Sequence, residues 1–291
     1  MMRGMRGGLS MLVAGLLALV FAAPILVTFT NSFMTGAEVG LRYGLHIVPG
    51  NVFYRLKVWE HIHFVRMTLV PPLVTMQQYV RLLFDPDYIN ALWNSIFITA
   101  PAILGTLVVA LPAAYTFEVL TWQHKEKLFF LYLVVMLMPL PVVLVPQFVM
   151  AGYLGIQESV LAVVLPALFA PFGVFLLRQF MKSFPMECLE AAKIDGAGHV
   201  RVLVSIVLPL LKPAVAALAL LTFVDYWNVV DQAIVFITDP AMMPLSVQLA
   251  RMGSPEIIFA ASFFYMLPAL LVFLWGQEYL VEGMKLSGLR G

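Results

Sequence analysis

Long apolar stretches without any Asp, Glu, Lys or Arg dominate the chain. A helix needs roughly 20 residues to cross a bilayer core of about 30 Å. Five stretches reach that length: Gly7–Ala37 (most apolar at Leu9–Phe29), Tyr88–Phe117, Leu128–Gln157, Ser159–Leu177 and Ile257–Gln277. The pattern therefore predicts five membrane-spanning helices.

A sixth apolar region, residues 202–237, is interrupted by Lys212, Asp225 and Asp231. One placement of the helix is 202–221, with Lys212 in the middle of the membrane. The other starts at Pro213 and carries Asp225 inside. Proline suits the first turn of a helix, where its missing N–H has no intrahelical partner, so the second placement is favoured. The expected fold class is an all-α polytopic membrane protein with six transmembrane helices.

Composition supports this class. Hydrophobic residues make up 62% of the 291 residues and charged residues only 11%, and mean hydropathy is +0.95. Soluble domains carry about 25% charged residues, so a soluble globular protein is excluded. The net charge of +1 gives no electrostatic drive toward nucleic acid. Cys188 is the only cysteine, which excludes an intrachain disulfide.

Lys and Arg residues indicate the orientation of the helices. If the N-terminus is cytoplasmic, these cations are on the inside: Arg3, Arg6, Lys125, Lys127, Arg178, Lys182, Lys193, Arg201, Lys212, Lys285 and Arg290. The short outer loops then hold only Arg251. Because short cytoplasmic loops are enriched in Lys and Arg, an N-in/C-in topology is predicted.

The first apolar run is expected to be an uncleaved helix. Its length exceeds that of a signal-peptide core, and Pro24 after Ala22-Ala23 is a poor cleavage context. We expect one transmembrane domain over residues 1–291, with an outer segment at about 30–87 and a structured inner loop at about 183–212.

That inner loop has the pattern of two short helices separated by a sharp turn. Pro185 fits a first helical turn, and residues 186–194 are good helix formers. Gly196 suits a helix end, because glycine adopts the left-handed conformation without steric cost. A second helix is expected from about Ala197 to Leu208, ended by Pro209.

Two interpretations of the first helix in this loop remain open. Ala191 and Ala192 leave a smooth face for close approach by another protein, and Glu187, Glu190 and Asp195 offer anionic points to its cations. Alternatively, the helix is amphipathic and rests on lipid headgroups.

The loop also resembles a known family. Glu190-Ala191-Ala192, three residues, Gly196, nine residues and Ile206–Pro209 match the EAA signature of binding-protein-dependent ABC importer permeases. The fuller form at 190–197 is similar to the carbohydrate-uptake subgroup, of the type represented by the G subunit of the maltose importer. Further similar stretches are Asn94-Ser95, Ala113-Ala114-Tyr115, Trp227-Asn228 and the tail Val281–Gly291.

The resemblance implies a bacterial or archaeal inner-membrane protein that acts with other subunits. They are a homologous second permease, an ATPase dimer that binds ATP and Mg²⁺, and an extracytoplasmic solute-binding protein. The loop would contact the ATPase through Glu187, Glu190, Ala191, Ala192, Asp195, Gly196 and Ala197. In such a system the permease carries a sugar or oligosaccharide by alternating access.

The chain is not expected to be an enzyme or to hold a cofactor. It contains no G-x-x-x-x-G-K-[ST] phosphate-binding loop, and no catalytic constellation is visible. No metal site is predicted, because His61 and His63 beside Glu60 lack a third spaced ligand. The alternative function is a stand-alone secondary transporter or facilitator, which would need paired half-repeats or broken helices.

Asp225, Tyr226, Trp227 and Asn228 are candidates for the substrate path. Ionisable groups within a membrane are functional candidates, and aromatic faces beside polar groups suit a sugar. Alternatively, Asp225 caps or fixes a helix end near the outer interface. Asp225 and Asp231 are six residues apart, so on one continuous helix they would occupy different faces.

Overall fold

A computed structural model describes residues 2–47, 71–183, 186–252 and 257–288, and these residues form helices joined by short turns, with no β-strand among them. The helices are α1 Met2–Asn31, α2 Gly36–Ile47, α3 Gln77–Leu83, α4 Pro86–Val119, α5 Lys125–Met136, α6 Leu140–Tyr153, α7 Val160–Leu168, α8 Pro171–Met181, α9 Met186–Ile194, α10 His199–Leu210, α11 Lys212–Trp227, α12 Asp231–Phe236, α13 Leu245–Arg251 and α14 Ile258–Gly288.

Four segments of the described residues are long and apolar enough to cross a membrane. They are Met11–Asn31, Pro86–Val119, Val160–Met181 and Ile258–Tyr279. Two bent pairs, α5 with α6 and α10 with α11, meet the same condition when each pair counts as one span. The all-α polytopic class is thus confirmed, and the six predicted spans correspond to these four segments and two pairs.

The third span is not the continuous helix that its apolar pattern suggested. The chain turns by 104° between α5 and α6. At the break, Pro139 has extended backbone angles of φ −67° and ψ 142° and precedes the first residue of α6. Proline has no N–H for the helical ladder, and the residue before it is biased away from the helical region, so Pro139 and Pro141 favour a bend here.

The helix α11 begins where the Lys212-Pro213 pair predicted. α11 starts at Lys212, with Pro213 in its first turn. α10 precedes it and meets it at an angle of 80°. The placement that put Lys212 in the middle of a continuous helix is therefore wrong.

The chain divides into two compact units, and the first comprises residues 1–89 and 248–268. Aromatic rings pack its helices together. Phe29 lies 4.9 Å from Phe263, and Tyr43 lies 4.9 Å from Phe259, between ring centroids. The Nδ2 atom of Asn31 donates a hydrogen bond of 2.9 Å to the Tyr43 hydroxyl. These contacts give the unit a core of its own.

The second unit comprises residues 90–247 and 269–291 and has two cores. One core joins α4, α5, α8, α9 and α10 through residues that include Phe117, Phe129, Leu177, Leu189 and Val202. The other joins α4, α6, α7, α12 and α13 through residues that include Ile98, Ala151, Val163, Phe236 and Val247. The first core includes residues of the loop with the EAA signature (α9, the turn at Gly196 and α10, called the EAA loop below), and the second includes residues of α12.

Apolar side chains are also exposed along the spans, as a lipid-facing surface requires. Met11 and Phe21 on α1 are 80% and 76% exposed, and Trp275 on α14 is 70% exposed. Contiguous apolar surface of this kind is rare on soluble monomers.

Some predictions concern residues outside the described ranges. These include the His61–His63 pair, residues 48–70 of the long outer segment, Pro185, and the last three residues of the tail. They stay predictions.

Candidate functional site

The turn after α9 closes as the sequence predicted. Gly196 has φ +77°, the left-handed conformation that suits glycine. The N–H of Ala197 donates to the carbonyl of Ala192 at 2.9 Å, and the N–H of Asp195 donates to Ala191 at 3.0 Å. The first of these bonds spans the left-handed residue, as in a Schellman motif, and it satisfies a carbonyl that the helix end would leave free. α9 therefore ends in a well-defined bend.

α9 has one face in the core and one face open. Leu189 and Ala192 are 3% and 8% exposed and pack in the first core of the second unit. Glu187, Glu190 and Ala191 are exposed. The structure thus divides the alanine pair that the sequence had placed on one smooth face. Residues three apart on a helix share a face, and here they are Leu189 and Ala192.

The exposed face continues beyond the residues that the sequence singled out. Asp195 and Gly196 are exposed and Ala197 is partly buried. Ile194 is 86% exposed and Val200 is 77% exposed. Neither apolar residue was predicted from the sequence, although Ile194 within the EAA signature is a large apolar residue close to a turn.

The second helix of the loop runs further than predicted. α10 includes a π-helical segment, Leu203–Val207, and continues through Pro209 to Leu210. Pro209 was expected to end the helix. It lies instead within the helix, in the short α-helical segment that directly follows the π segment.

α10 is also tied to α4. The Tyr115 hydroxyl lies 3.1 Å from Nδ1 of His199, within hydrogen-bond distance. A cleft of about 870 Å³ opens beside this contact. It is lined by the end of α4, the residues after it up to Trp122, and the turn Gly196–His199.

The helix before the loop carries a buried arginine, which in the sequence served only to indicate topology. Arg178 near the end of α8 is 4% exposed. Its Nε donates to Oε2 of Glu118 at 3.0 Å and its Nη2 donates to Oε1 of Glu126 at 2.6 Å. Its guanidinium carbon lies 3.9 Å from the ring centroid of Phe129. One side chain thus connects α8 to α4 and α5.

A second cavity, of about 390 Å³, lies where α11 ends. Its lining includes Asp225, Tyr226 and Asn228, three of the four residues predicted for the substrate path, together with Asp231 and Gln232. The volume falls within the range of about 300–1,000 Å³ that small-molecule sites occupy.

Trp227, the fourth predicted residue, does not line this cavity. It is 3% exposed and stacks on Phe223, with ring centroids 5.5 Å apart and an interplanar angle of 15°. Asn228 caps the end of α11, since its Nδ2 donates to the Val224 carbonyl at 2.8 Å. Asp225 therefore lies in the last turn of a helix, as the alternative interpretation held, and also lines a cavity.

Asp225 and Asp231 line the same cavity, which the helical-rotation argument did not anticipate. That argument assumed one continuous helix. α11 ends at Trp227 and α12 begins at Asp231, so the chain changes direction between the two carboxyl groups.

The Asn94-Ser95 pair has a clear structural role. Asn94 Nδ2 donates to the carbonyls of Ala241 at 2.7 Å and Met243 at 3.1 Å. The Ser95 hydroxyl accepts from the N–H of Leu245 at 2.8 Å. These bonds hold the segment before α13 against α4.

These features define a polytopic helical membrane protein with a capped surface loop and a polar cavity at a broken helix. Residues 107–286 match the family described as the binding-protein-dependent transport system inner membrane component. The chain belongs to this family, which confirms the resemblance found in the EAA signature. It is a permease component of a transport system, located in the inner membrane, and not an enzyme.

Relatives of the chain are named for the transport of sugars or of osmoprotective compounds. The chain is 26% identical over 257 residues to the arabinooligosaccharides transport system permease protein AraQ of Halalkalibacterium halodurans, covering 81% of this chain and 92% of that protein. It is 31% identical over 203 residues to the osmoprotective compounds uptake permease protein GgtD of a Synechocystis species, covering 67% and 68%. It is 30% identical over 197 residues to the lactose transport system permease protein LacG of Rhizobium radiobacter, covering 66% and 72%.

A solved structure confirms the fold. The chain resembles a component of a bacterial ABC transporter involved in the import of the acidic polysaccharide alginate, with a TM-score of 0.78 and 22% sequence identity. The match covers 94% of this chain and 96% of that chain. The helical architecture is therefore that of an ABC importer permease.

Proposed function

We propose that this chain is the permease subunit of an ATP-driven importer for a sugar or oligosaccharide, coupled to a separate ATPase through the EAA loop. Family membership and the sugar-transport names of its relatives support the class of substrate. The positive-inside pattern supports an N-in/C-in topology, which places the loop in the cytoplasm.

The division of α9 into a held face and an open face is the observation that carries the coupling role. Leu189 and Ala192 fix the helix to the protein's own core. Glu187, Glu190, Ala191 and Ile194 remain on the open side. Exposed carboxylates favour charge-assisted hydrogen bonds to Arg or Lys, and the exposed isoleucine offers apolar area. A protein partner with a basic and apolar groove suits this surface better than lipid headgroups, whose anionic charge would repel the acids.

Four further components complete the proposed transporter: a homologous second permease, a pair of ATPases and an extracytoplasmic solute-binding protein. ATP and Mg²⁺ would be bound by the ATPases, since this sequence has no phosphate-binding loop. Closure of the ATPase pair would move the loop and open the transport pathway outward, and hydrolysis would reset it. Bound ATP would then favour the outward-open state of the permease, and its hydrolysis would favour the return to the starting state.

The cavity at the end of α11 is the proposed section of the substrate path in this chain. Asp225, Asn228 and Gln232 provide hydrogen-bond acceptors and donors for hydroxyl groups, and Tyr226 provides an aromatic face for sugar C–H groups.

The coupling role is tested by Glu190→Lys in the assembled transporter. Reversing the charge replaces an attraction to a basic partner by repulsion. We expect uptake into vesicles to fall by about tenfold or more, with normal abundance in the membrane. Glu158→Lys is the matched control, since Glu158 is an exposed acid in another loop, and it should leave uptake unchanged. Equal uptake in the Glu190→Lys variant and the wild type would contradict the role, and uptake by this chain without any ATPase would favour the stand-alone transporter.

The substrate path is tested by Asp225→Asn. The variant keeps the shape of the side chain and removes a charged acceptor, so we expect the concentration for half-maximal uptake to rise by about tenfold. Asp87→Asn, which changes an exposed acid outside the cavity, is the control. An unchanged half-maximal concentration in the Asp225→Asn variant would remove this cavity from the path.

A further inference from the structure

The guanidinium of Arg178 bridges two carboxylates that belong to two other helices. Nε reaches Glu118 near the end of α4, and Nη2 reaches Glu126 in the first turn of α5. The planar fork of arginine presents fixed donors in two directions, whereas the three donors of lysine rotate about one nitrogen and do not hold two carboxylates in one geometry. The contact with the Phe129 ring on a third side leaves the cation enclosed.

A buried ion pair of this kind adds little net stability to the fold. Buried ion pairs lose hydration when they form, and apolar residues of similar size often give an equally stable core. Their best-supported use is to specify one arrangement of the elements they join. Arg178 therefore selects one relative position of three helix ends, at a cost in desolvation.

The three helix ends also hold the EAA loop. Arg178 lies one turn before the end of α8, after which the chain enters the loop. Leu189 of α9 packs in the same core as Phe129 and Phe117. The second half of the loop is held to α4 by the contact between Tyr115 and His199. Both helices of the loop, α9 and α10, are thus held by contacts to the helices that Arg178 connects.

The two arms of the bridge differ in exposure. The side chain of Glu118 is 19% exposed and that of Glu126 is 66% exposed. The contact with Glu118 is the more sheltered from water and salt, whereas the contact with Glu126 is the shorter, at 2.6 Å against 3.0 Å.

We propose that Arg178 is a positioning residue for coupled transport. It holds the ends of α4, α5 and α8 as one body, so that force applied to the EAA loop moves the three helices together. The proposal rests on the proposed function, because it assigns to Arg178 the transmission of a movement that the ATPase would supply.

The test compares a neutralised variant with the wild type. Arg178→Met combined with Glu118→Gln and Glu126→Gln removes all three charges, so that no unpaired ion is left in the core. We expect near-normal abundance and thermal stability of the reconstituted transporter, together with a loss of uptake of about tenfold and ATP hydrolysis within about twofold of the wild type. If Arg178 only stabilised the fold, the neutralised variant would combine normal stability with full uptake, and that result would overturn the proposal. Lys182→Met is the control, since it removes an exposed cation one turn further along the chain and should leave uptake unchanged.

A distance measurement separates this proposal from the proposed function, because it involves no ATPase. Spin labels on cysteines introduced at the exposed residues Thr121 and Ser183, in a Cys188→Ser chain, report the separation of the α4 and α8 ends. We expect one narrow distance distribution with Arg178 present and a clearly broader one in both the neutralised variant and Arg178→Lys. If the neutralised variant fails to fold, the width of the distance distribution in Arg178→Lys tests the proposal instead. Equally narrow distributions would overturn the proposal, whereas uptake independent of an ATPase would overturn only the proposed function.

Discussion

The turns at Gly155 and Gly196 share one backbone design and differ in their surroundings. Gly155 follows α6 with φ +67° and Gly196 follows α9 with φ +77°. In each turn the next residue donates its N–H to the carbonyl five residues earlier, at 3.0 Å for Ile156 and 2.9 Å for Ala197. At either glycine an added Cβ would meet nothing within 4 Å.

The side chains around the two turns are different. Before Gly155 stand the exposed Tyr153 and Leu154, and the chain enters α7 within five residues. Before Gly196 stand exposed acids on a helix whose other face is held in the core, and after it comes a helix with a π segment. The same cap therefore serves a connection between two membrane helices in one case and a polar surface feature in the other.

The comparison shows that the backbone bend alone does not mark a coupling element. The function proposed for the Gly196 turn depends on Glu187, Glu190 and Ile194 and on the attachment of α9 through Leu189. Matched substitutions at the two turns therefore distinguish what the backbone bend contributes to uptake from what the surrounding side chains contribute.

The largest contrast is expected between Gly196→Val and Gly155→Val. A residue other than glycine in the left-handed region costs about 1–2 kcal/mol, and a β-branched residue is especially unfavourable there. Both variants should lose similar stability, measured by thermal unfolding. Uptake into vesicles should fall by about tenfold or more only for Gly196→Val, because that turn sets the position of the surface proposed to bind the ATPase (Glu187, Glu190, Ala191 and Ile194). Equal losses of uptake would mean that the two turns have equivalent roles.

A smaller contrast is expected between Ile194→Ser and Leu154→Ser. Both residues are exposed and apolar, at 86% and 61%. Partial burial of Ile194 against a partner would contribute about 1 kcal/mol, so its loss should weaken co-purification with the ATPase by about fivefold. Leu154→Ser should leave co-purification unchanged. A loss in both variants would point to a general effect on the fold.

The smallest effect is expected for Gly196→Asn. Asparagine visits the left-handed region more readily than other residues with a side chain, and there is space for its Cβ. Uptake should stay within about twofold of the wild type, as it should for Gly155→Asn. A large loss at position 196 would show that the turn tolerates no side chain, which implies close contact with a partner there.

Local signals in the sequence predicted the fold well. Apolar length marked the spans, Pro213 marked the start of α11, and Gly196 marked the end of α9. Pro139 and Pro141 mark a place where a helix can bend, but the turn of 104° was not predicted, because prolines lie in several of the apolar runs and do not show by themselves where a span breaks. The continuation of α10 through Pro209 was missed because a π segment has no distinct residue pattern.

The candidate site was predicted less completely, and the missing parts depend on long-range contacts. Arg178 is 60 residues from Glu118 and 52 residues from Glu126, so no local pattern pairs them. Asp231 joins the cavity of Asp225 only because the chain turns after Trp227. The Ala191–Ala192 pair was placed on one face because the burial of Ala192 depends on a core that the sequence does not display.

The most direct measurement of the central claim uses the cysteine at position 188, which is exposed on α9. Its rate of labelling by a water-soluble maleimide is compared in membranes with and without the ATPase, and Leu154→Cys in a Cys188→Ser chain serves as the control. We predict labelling of Cys188 to slow by about tenfold or more when the ATPase is bound, with no change at position 154. Equal labelling of Cys188 in the two preparations would contradict the docking of an ATPase on this loop.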